Sequence, residues 1–274
     1  MAYPVVSAPY GLKPINLIGG QVFAGSTRDY PITNAYATNI FYGDYVGLSR
    51  GEIVRLSVST GTAGNQSGIF LGCRFTNPLT KQLTFSQYWP ASTAAGDAVA
   101  IVADDPDTVF RGAVCSATTV IASGARAMIG QNLAMINNTG STTSGNSKNA
   151  ILAPSATPAT TSSLPVRVLA LASDTSVSLG NATYASISTA TVTCSALPFA
   201  LPVGTDVGSL DSNGNFVSAG SFVATAAAAG ATSFVLNQAP AATLNSTIVF
   251  TQYPEILVKI NFGQHQYYAG TSIA

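Results

Sequence analysis

Residues 43–58 read GDYVGLSRGEIVRLSV, and this stretch decides the fold class. Two runs rich in β-branched and aromatic residues, Tyr45–Leu48 and Ile53–Val58, flank the pair Arg50-Gly51. Such runs, with partial alternation of apolar and polar side chains, are typical of strands. A Gly-containing pair between two of them is typical of a turn. The stretch therefore predicts a β-hairpin.

The same pattern recurs along the first two thirds of the chain. No window of ten or more residues has helical apolar spacing free of Gly, Pro or β-branched runs, and the best helical stretch, Ala122–Ala127, is too short to count. The chain is therefore predicted to be all-β. The further predicted strands are Ile40–Tyr42, Ile69–Phe75, Leu83–Trp89, Val99–Val102, Val109–Val114, Asn132–Ile136 and Val166–Ala172.

Residues 177–253 form a second β block with a different composition. Asp206 and Asp211 are its only charged residues, and Ala, Ser and Thr dominate. The runs Asp206–Leu210 and Asn215–Val217 flank Ser212-Asn213-Gly214, and Asn-Gly is a strong hairpin signal. Ser233–Leu236 and Thr247–Phe250 follow as strands, whereas Ala226–Ala229 is compatible with one helical turn. This block echoes residues 43–54, which suggests two barrels of one kind.

The last strand, Glu255–Phe262, is charged at both Glu255 and Lys259, unlike the block before it. Its character matches Leu164–Leu169 better. We therefore predict a main domain of residues 36–176 plus 254–274, with residues 177–253 inserted as a second barrel or sandwich. This hypothesis requires backbone pairing between the C-terminal strand and residues 36–172. Residues 137–163, rich in Ser, Thr, Gly and Asn, are predicted to form a long surface loop with at most one edge strand, Ala150–Leu152.

Residues 1–35 are predicted to form an extended N-terminal arm. Four prolines remove backbone donors and hold their neighbours extended. Large aromatic side chains in the same segment need a surface to lie on, either the arm's own domain or a neighbouring subunit. The aromatic cluster at residues 85–90 is interpreted as an interface in preference to a platform for sugars or bases. The candidate subunit-contact residues are Tyr3, Tyr10, Phe23, Tyr30, Tyr88 and Trp89.

The composition limits the kinds of partner that the chain can bind. Charged residues make up 8% of the chain, and 11 basic residues balance 11 acidic ones. Nucleic-acid binding depends on clustered Lys and Arg, so scattered basic residues argue against it. A net charge of zero removes self-repulsion and favours packing against other copies. No apolar run approaches the ~18 residues of a membrane span. The N-terminus lacks a signal-peptide pattern, so we expect the protein to be made and used in a cytoplasm or in something assembled there.

Residues able to carry chemistry are sparse. His265 is the only histidine, and there is no HExxH or CxxC motif, so it is interpreted as an ordinary packed histidine. Asp104-Asp105-Pro106-Asp107 lacks the spacing of a calcium loop and is interpreted as a turn. Cys73, Cys115 and Cys194 lie in apolar stretches and are expected to be buried. We therefore predict no catalytic, cofactor or metal residues, and no enzymatic activity.

Several phrases resemble structural proteins of marine and aquatic tailed bacteriophages. They are YGLKPINLIGGQ at 10–21, AGSTR at 24–28, GIFLGC at 68–73, SQYWP at 86–90, ADDPD at 103–107 and LVKINFG at 257–263. The resemblance covers much of residues 10–110 and the C-terminal strand but not residues 177–253. The pattern of residues 43–54 followed by 68–72 is similar, more loosely, to β-tulip decoration proteins that trimerise on phage heads.

This resemblance implies a non-enzymatic capsid decoration (cement) protein on the outer surface of the virion. It would bridge subunits of the major capsid protein as a homotrimer, through a small antiparallel β-tulip-like barrel. One alternative is the major capsid protein itself, although that role normally uses a long spine helix that this sequence lacks. Another is a head fibre or tail-tip adhesin that binds host glycans through Tyr and Trp. A third is a depolymerase, which would need paired carboxylates.

Overall fold

The computed structural model describes residues 6–57, 66–154 and 162–268. Within them the chain is all-β, as predicted, with two short 3₁₀ helices at Arg126–Met128 and Ser173–Thr175. No helix of these residues has the length and apolarity to cross a membrane. The strands are β1 Leu12–Leu17, β2 Arg28–Pro31, β3 Tyr45–Ser49, β4 Glu52–Arg55, β5 Gly68–Thr76, β6 Leu83–Ser86, β7 Val99–Ala103, β8 Thr108–Ala117, β9 Val120–Ile121, β10 Asn132–Leu133, β11 Met135–Ile136, β12 Ala150–Leu152, β13 Val166–Leu171, β14 Val177–Ser188, β15 Thr191–Cys194, β16 Asp206–Leu210, β17 Phe216–Thr225, β18 Ser233–Leu236, β19 Thr247–Gln252 and β20 Glu255–Ile260.

The first sheet runs in the order β10-β13-β20-β8-β12-β11, and β1 and β9 also pair with β8. The C-terminal strand β20 lies in its middle. Val258 faces Val168 of β13 on one side and Phe110 of β8 on the other, in antiparallel register. The predicted pairing of the C-terminal strand with the first part of the chain is therefore present.

The second sheet runs in the order β2-β7-β5-β3-β4, and β6 pairs with the far half of β5. The β3–β4 hairpin is the one predicted from residues 43–58. Its turn residues Arg50 and Gly51 both have positive φ angles, 53° and 83°. Two left-handed residues give the turn a twist that matches the strands on either side of it.

The two sheets share a core. Tyr45, Ile69 and Ala103 from the second sheet pack with Phe110 and Val258 from the first. Burial of such side chains is the main favourable term in folding. The described strands of this part form two open sheets and not one closed ring, so the β-tulip-like barrel stays a prediction.

The closed barrel of the molecule lies between Val177 and Gln252. Its strands follow the order β14-β15-β18-β17-β16-β19, and β19 pairs back with β14 to close the ring. The interior contains Phe234 and Phe250, whose rings meet edge to face at 5.4 Å. Val177 pairs with Gln252, so the chain enters and leaves the barrel at adjacent positions.

The barrel rests against the first part of the chain near Ser123. The Ser123 amide donates to the carbonyl of Val203, and the Ser123 hydroxyl accepts from the amide of Tyr253. Beside these bonds, Met128 and Phe222 bury each other's apolar surface. Both polar and apolar contacts therefore hold the barrel in place.

The described part of the predicted arm does not extend away from the molecule. Residues 12–17 form β1 along β8, residues 28–31 form β2 along β7, and Leu12 is fully buried in the core. Pro14 and Pro31 fit because both strands are edge strands, where a missing amide donor costs no ladder bond. The arm therefore lies on its own domain.

At three places the structure differs from what the sequence led us to expect. Ala150–Leu152 is not an edge strand, since β12 lies between β11 and β8, and Ile151 is fully buried. Ile40–Tyr42 forms only isolated bridges, to Trp89 and Asn146. Residues 226–229 form no helical turn, because the amide of Ala227 bonds to Leu201 across the barrel. In each case a tertiary contact overrides local composition.

Candidate contact surface

Of the predicted contact residues in the first 35 positions, Tyr10, Phe23 and Tyr30 are engaged within the molecule. Tyr3 lies outside the described residues. The hydroxyl of Tyr10 donates to the Glu255 carboxylate, and the ammonium of Lys13 lies 4.6 Å from the centre of the Tyr10 ring. Burial and the Glu255 carboxylate raise the pKa of Tyr10. Phe23 is half-buried against the shared core.

Tyr30 is part of an anchor around Asp104. One carboxylate oxygen of Asp104 accepts from the Tyr30 hydroxyl at 2.8 Å and from the Tyr267 hydroxyl at 2.5 Å. The Nε of Arg28 lies 3.0 Å from the same oxygen. Asp104 thereby ties the segment after β20 to the second sheet, and Tyr30 is largely committed to that role.

The remainder of the acidic cluster is a turn, as predicted. Asp105 accepts from the amide of Asp107 through its side chain at 2.8 Å and from the amide of Thr108 through its carbonyl at 3.0 Å. Over the described ranges, no three His, Cys, Asp or Glu side chains come close enough together to hold a metal ion. Asp104–Asp107 therefore positions chain segments.

His265 is buried beside this anchor. Its Nδ1 accepts from the amide of Tyr267 at 3.3 Å. Burial lowers the pKa of His265, and the nearby Asp104 carboxylate opposes that shift. His265 is therefore a packed histidine, as the sequence predicted.

Trp89 was wrongly assigned to a contact surface. Its side chain is 0% exposed, meets the Phe75 ring edge to face at 5.3 Å, and donates through Nε1 to the carbonyl of Tyr36. A ring enclosed in this way has no face left for another subunit. Its neighbour Tyr88 is half-buried and stacks on Phe41 at 5.6 Å.

The three cysteines are buried and unpaired, as predicted. Burial raises the pKa of Cys73 to about 12 and that of Cys115 to about 11, and it also raises the pKa of Cys194. Because the thiolate is the reactive form, these thiols are poor nucleophiles in the folded protein.

The predicted interface at residues 85–90 included Phe85, but sequence reasoning missed Leu79 and Leu83, which form the most exposed apolar group on the second sheet together with it. Leu79, Leu83 and Phe85, which we name the edge-strand patch, are 90%, 61% and 70% exposed. On β6, Phe85 lies opposite the exposed Arg74, whereas Thr84 lies opposite the buried Phe75. Strand β5 thus decides which face of β6 meets the core, and it directs the large side chains outward.

An open groove of about 450 Å³ runs beside the patch. Leu71, Phe85 and Ile101 give it apolar walls, and Tyr42 and Gln87 add polar groups. The side-chain amide of Gln87 is held by Asn146 at 2.8 Å. Arg74, on the strand paired with β6, forms an ion pair with Asp29 at 2.7 Å. None of the residues that line the groove is charged.

Three comparisons with known proteins found no match for this chain. No protein-family model matches its sequence, no curated protein is significantly similar to it, and no solved structure significantly resembles it.

Proposed function

We propose that the chain is a non-enzymatic decoration (cement) protein of a bacteriophage capsid. The observation that carries the proposal is the exposure of large apolar side chains on a surface with few charges. Val22 is 81% exposed and Phe262 66%, in addition to the edge-strand patch. Clustered exposed apolar side chains, such as those of the edge-strand patch, are characteristic of surfaces that bind other proteins. The resemblance of several phrases to structural proteins of tailed bacteriophages directs the proposal to the capsid.

The proposed mechanism is stabilisation by binding. A protein that binds only assembled shell shifts the equilibrium towards assembly. Many identical copies add their effects, because each bound copy bridges major capsid subunits that its neighbours also hold. A homotrimer built on a β-tulip-like first part is included in the proposal, with the barrel of residues 177–252 projecting from the virion surface.

The test uses heads of the phage that encodes this chain, purified from a mutant that lacks it. We expect the purified protein to sediment with these heads in hundreds of copies and to raise the temperature at which they release DNA. Heads already carrying the protein serve as the control, because their sites are filled. If the protein stays in the supernatant when it is mixed with heads from the mutant, the proposal is wrong.

One observation favours a second function, that of a head-fibre or tail-tip adhesin for host glycans. The exposed Phe85 ring beside the Gln87 amide offers an apolar face and a hydrogen-bonding group in one groove. A copy number of a dozen or fewer per particle, together with glycan binding that Phe85→Ala abolishes, would favour the adhesin over the decoration protein.

A further inference from the structure

Strand β6 has an unpaired outer edge among the described residues. In an antiparallel ladder, alternate residues direct both backbone groups to the same neighbour. The amide of Asn77 donates to Gln82 at 2.9 Å, so the inward-bonded positions of β6 are Thr84 and Ser86. The amide of Thr76 points the other way, to Asp97 at 3.1 Å. Leu83 and Phe85 therefore direct their N–H and C=O groups away from the sheet.

We infer that two copies of this chain associate by pairing their β6 strands antiparallel about a twofold axis at Thr84. In this register Leu83 of one copy lies opposite Phe85 of the other, and the two exchange backbone hydrogen bonds. The twofold axis generates a second, identical pair of residues, so the contact contains four backbone hydrogen bonds and two Leu–Phe cross-strand pairs. Aromatic–aliphatic pairs across strands are stabilising. Strand β6 thus supplies donors, acceptors and apolar side chains to the β6 strand of a second copy.

Charge does not oppose a second copy as the occupant. In the proposed register Lys81 lies opposite Gln87 and Gln82 lies opposite Ser86, so no like charges meet. The exposed ion pair between Arg74 and Asp29, at 2.7 Å, carries no net charge. A net charge of zero adds no repulsion between copies. A twofold pair also needs no second surface, because the same patch serves both sides.

The size of the contact sets its strength. A buried aromatic residue covers roughly 150–250 Å², so two four-residue strands fall well below the about 1,200 Å² of a stable interface. The association is therefore weak in dilute solution and increases where copies are held close together. It rests on the geometry of β6 alone, and a twofold pair is distinct from the trimer proposed above.

A cysteine introduced at the axis tests the register. Thr84 of one copy would lie opposite Thr84 of the other as a non-hydrogen-bonded pair. The two Cα atoms would be about 4.5 Å apart, which is within the range for a disulfide. We expect Thr84→Cys to form a covalent dimer under mild oxidation, with a yield that rises with protein concentration. The control is Ser212→Cys, at an exposed turn of the barrel, which should remain monomeric. The native cysteines are buried and should not contribute.

Sedimentation velocity tests the same contact without cross-linking. The wild-type protein should shift towards a dimer at about millimolar concentration, and Phe85→Lys should abolish the shift. Val22→Lys is the matched control, because Val22 is 81% exposed against 70% for Phe85 but bridges Asn16 of β1, in the other sheet. The inference is overturned if the protein stays monomeric, if Phe85→Lys associates like the wild type, or if Thr84→Cys cross-links no better than Ser212→Cys. Binding to heads is measured separately, so the two proposals can fail independently.

Discussion

Two hairpins of this molecule begin in the same way. The β3–β4 hairpin follows Gly43, with a φ of 93°, and Asp44, whereas the β16–β17 hairpin follows Gly204, with a φ of 80°, and begins at Asp206. Both aspartates are buried, and burial raises the pKa of each. The sequence echo between the two blocks therefore corresponds to a repeated local structure.

The hairpins differ in what satisfies the buried carboxylate. Asp44 accepts from the amide of Phe41 at 3.0 Å, from Ser147 at 2.6 Å and from Asn149 at 3.0 Å, and the Nε of Arg55 lies 2.7 Å away. Asp206, in contrast, accepts from Ser218 of its own hairpin at 2.6 Å and from the amide of Arg126 at 3.3 Å. Each carboxylate thus has a partner on the other strand of its own hairpin, Arg55 or Ser218, but Asp44 also bonds to two side chains about 100 positions away, whereas Asp206 has one distant backbone donor.

Replacing each aspartate by alanine should give the largest difference between the hairpins. Asp44→Ala leaves three hydrogen-bond donors and Arg55 without their acceptor, and we expect a loss of about 3–5 kcal/mol in the free energy of unfolding. Asp206→Ala leaves fewer donors without an acceptor and should lower the free energy of unfolding by about 1–3 kcal/mol. Urea denaturation measures both. Equal losses would mean that the number of partners does not decide the role of the carboxylate.

Gly204 tests the contact between the barrel and the first sheet. A Cβ at this position would lie 1.9 Å from the carbonyl oxygen of Ser123, and the positive φ adds strain. Gly204→Ala should therefore lower the free energy of unfolding by about 2–3 kcal/mol.

The control for this variant is Gly214→Ala. Gly214 has nearly the same φ, 79°, but its Cβ would point into open space. Its cost should be about 1 kcal/mol, from the backbone strain alone. If the two variants lose the same stability, the close approach of Gly204 to Ser123 is not significant.

Asp206→Asn should have a smaller effect, and one that depends on pH. Since burial raises the pKa of Asp206 in the folded state, the folded protein binds this proton more tightly than the unfolded chain does. The associated stability is fully present below the ordinary pKa of about 3.9 and is lost as pH rises through the folded pKa. At pH 7 the asparagine variant should be within about 1 kcal/mol of the wild type, because the Ser218 bond survives without a buried charge. As pH falls towards 4, the free energy of unfolding of the wild type should increase relative to that of the variant. A difference in free energy of unfolding that does not change with pH, measured by urea titration, would contradict this.

The strand content and the hairpins could be predicted because their signals are local. The turn at Arg50-Gly51 and the strand at Glu255–Ile260 follow from residue types and alternation within a few positions. The role of residues 137–163 could not be predicted, because Ser147 and Asn149 are buried where their side chains bond to Asp44, about 100 positions away. A polar segment that supplies such distant partners looks like any surface loop in the sequence.

The contact surface was predicted less well for a similar reason. Alternation separates Leu83 and Phe85 from Thr84 and Ser86, but it does not say which pair faces the core. The β5 partners decide that, since Phe75 is buried opposite Thr84. Trp89 was misassigned because an aromatic cluster in a sequence is compatible with either a core or an interface.

The smallest expected effect is a difference in opening between the two parts of the molecule. Cys73 and Cys115 lie in the first part, and Cys194 lies in the barrel, so the native thiols report on each. The barrel has its own core, and the chain enters and leaves it through a single pair of neighbouring strands, so it can open with less free energy than the whole protein. In low concentrations of denaturant we therefore expect a thiol reagent, followed by mass spectrometry of the peptides, to modify Cys194 before the other two. Simultaneous modification of all three would instead mean that the barrel and the sheets unfold as one cooperative unit, and that the different ways in which the two hairpins are held do not translate into different local stabilities.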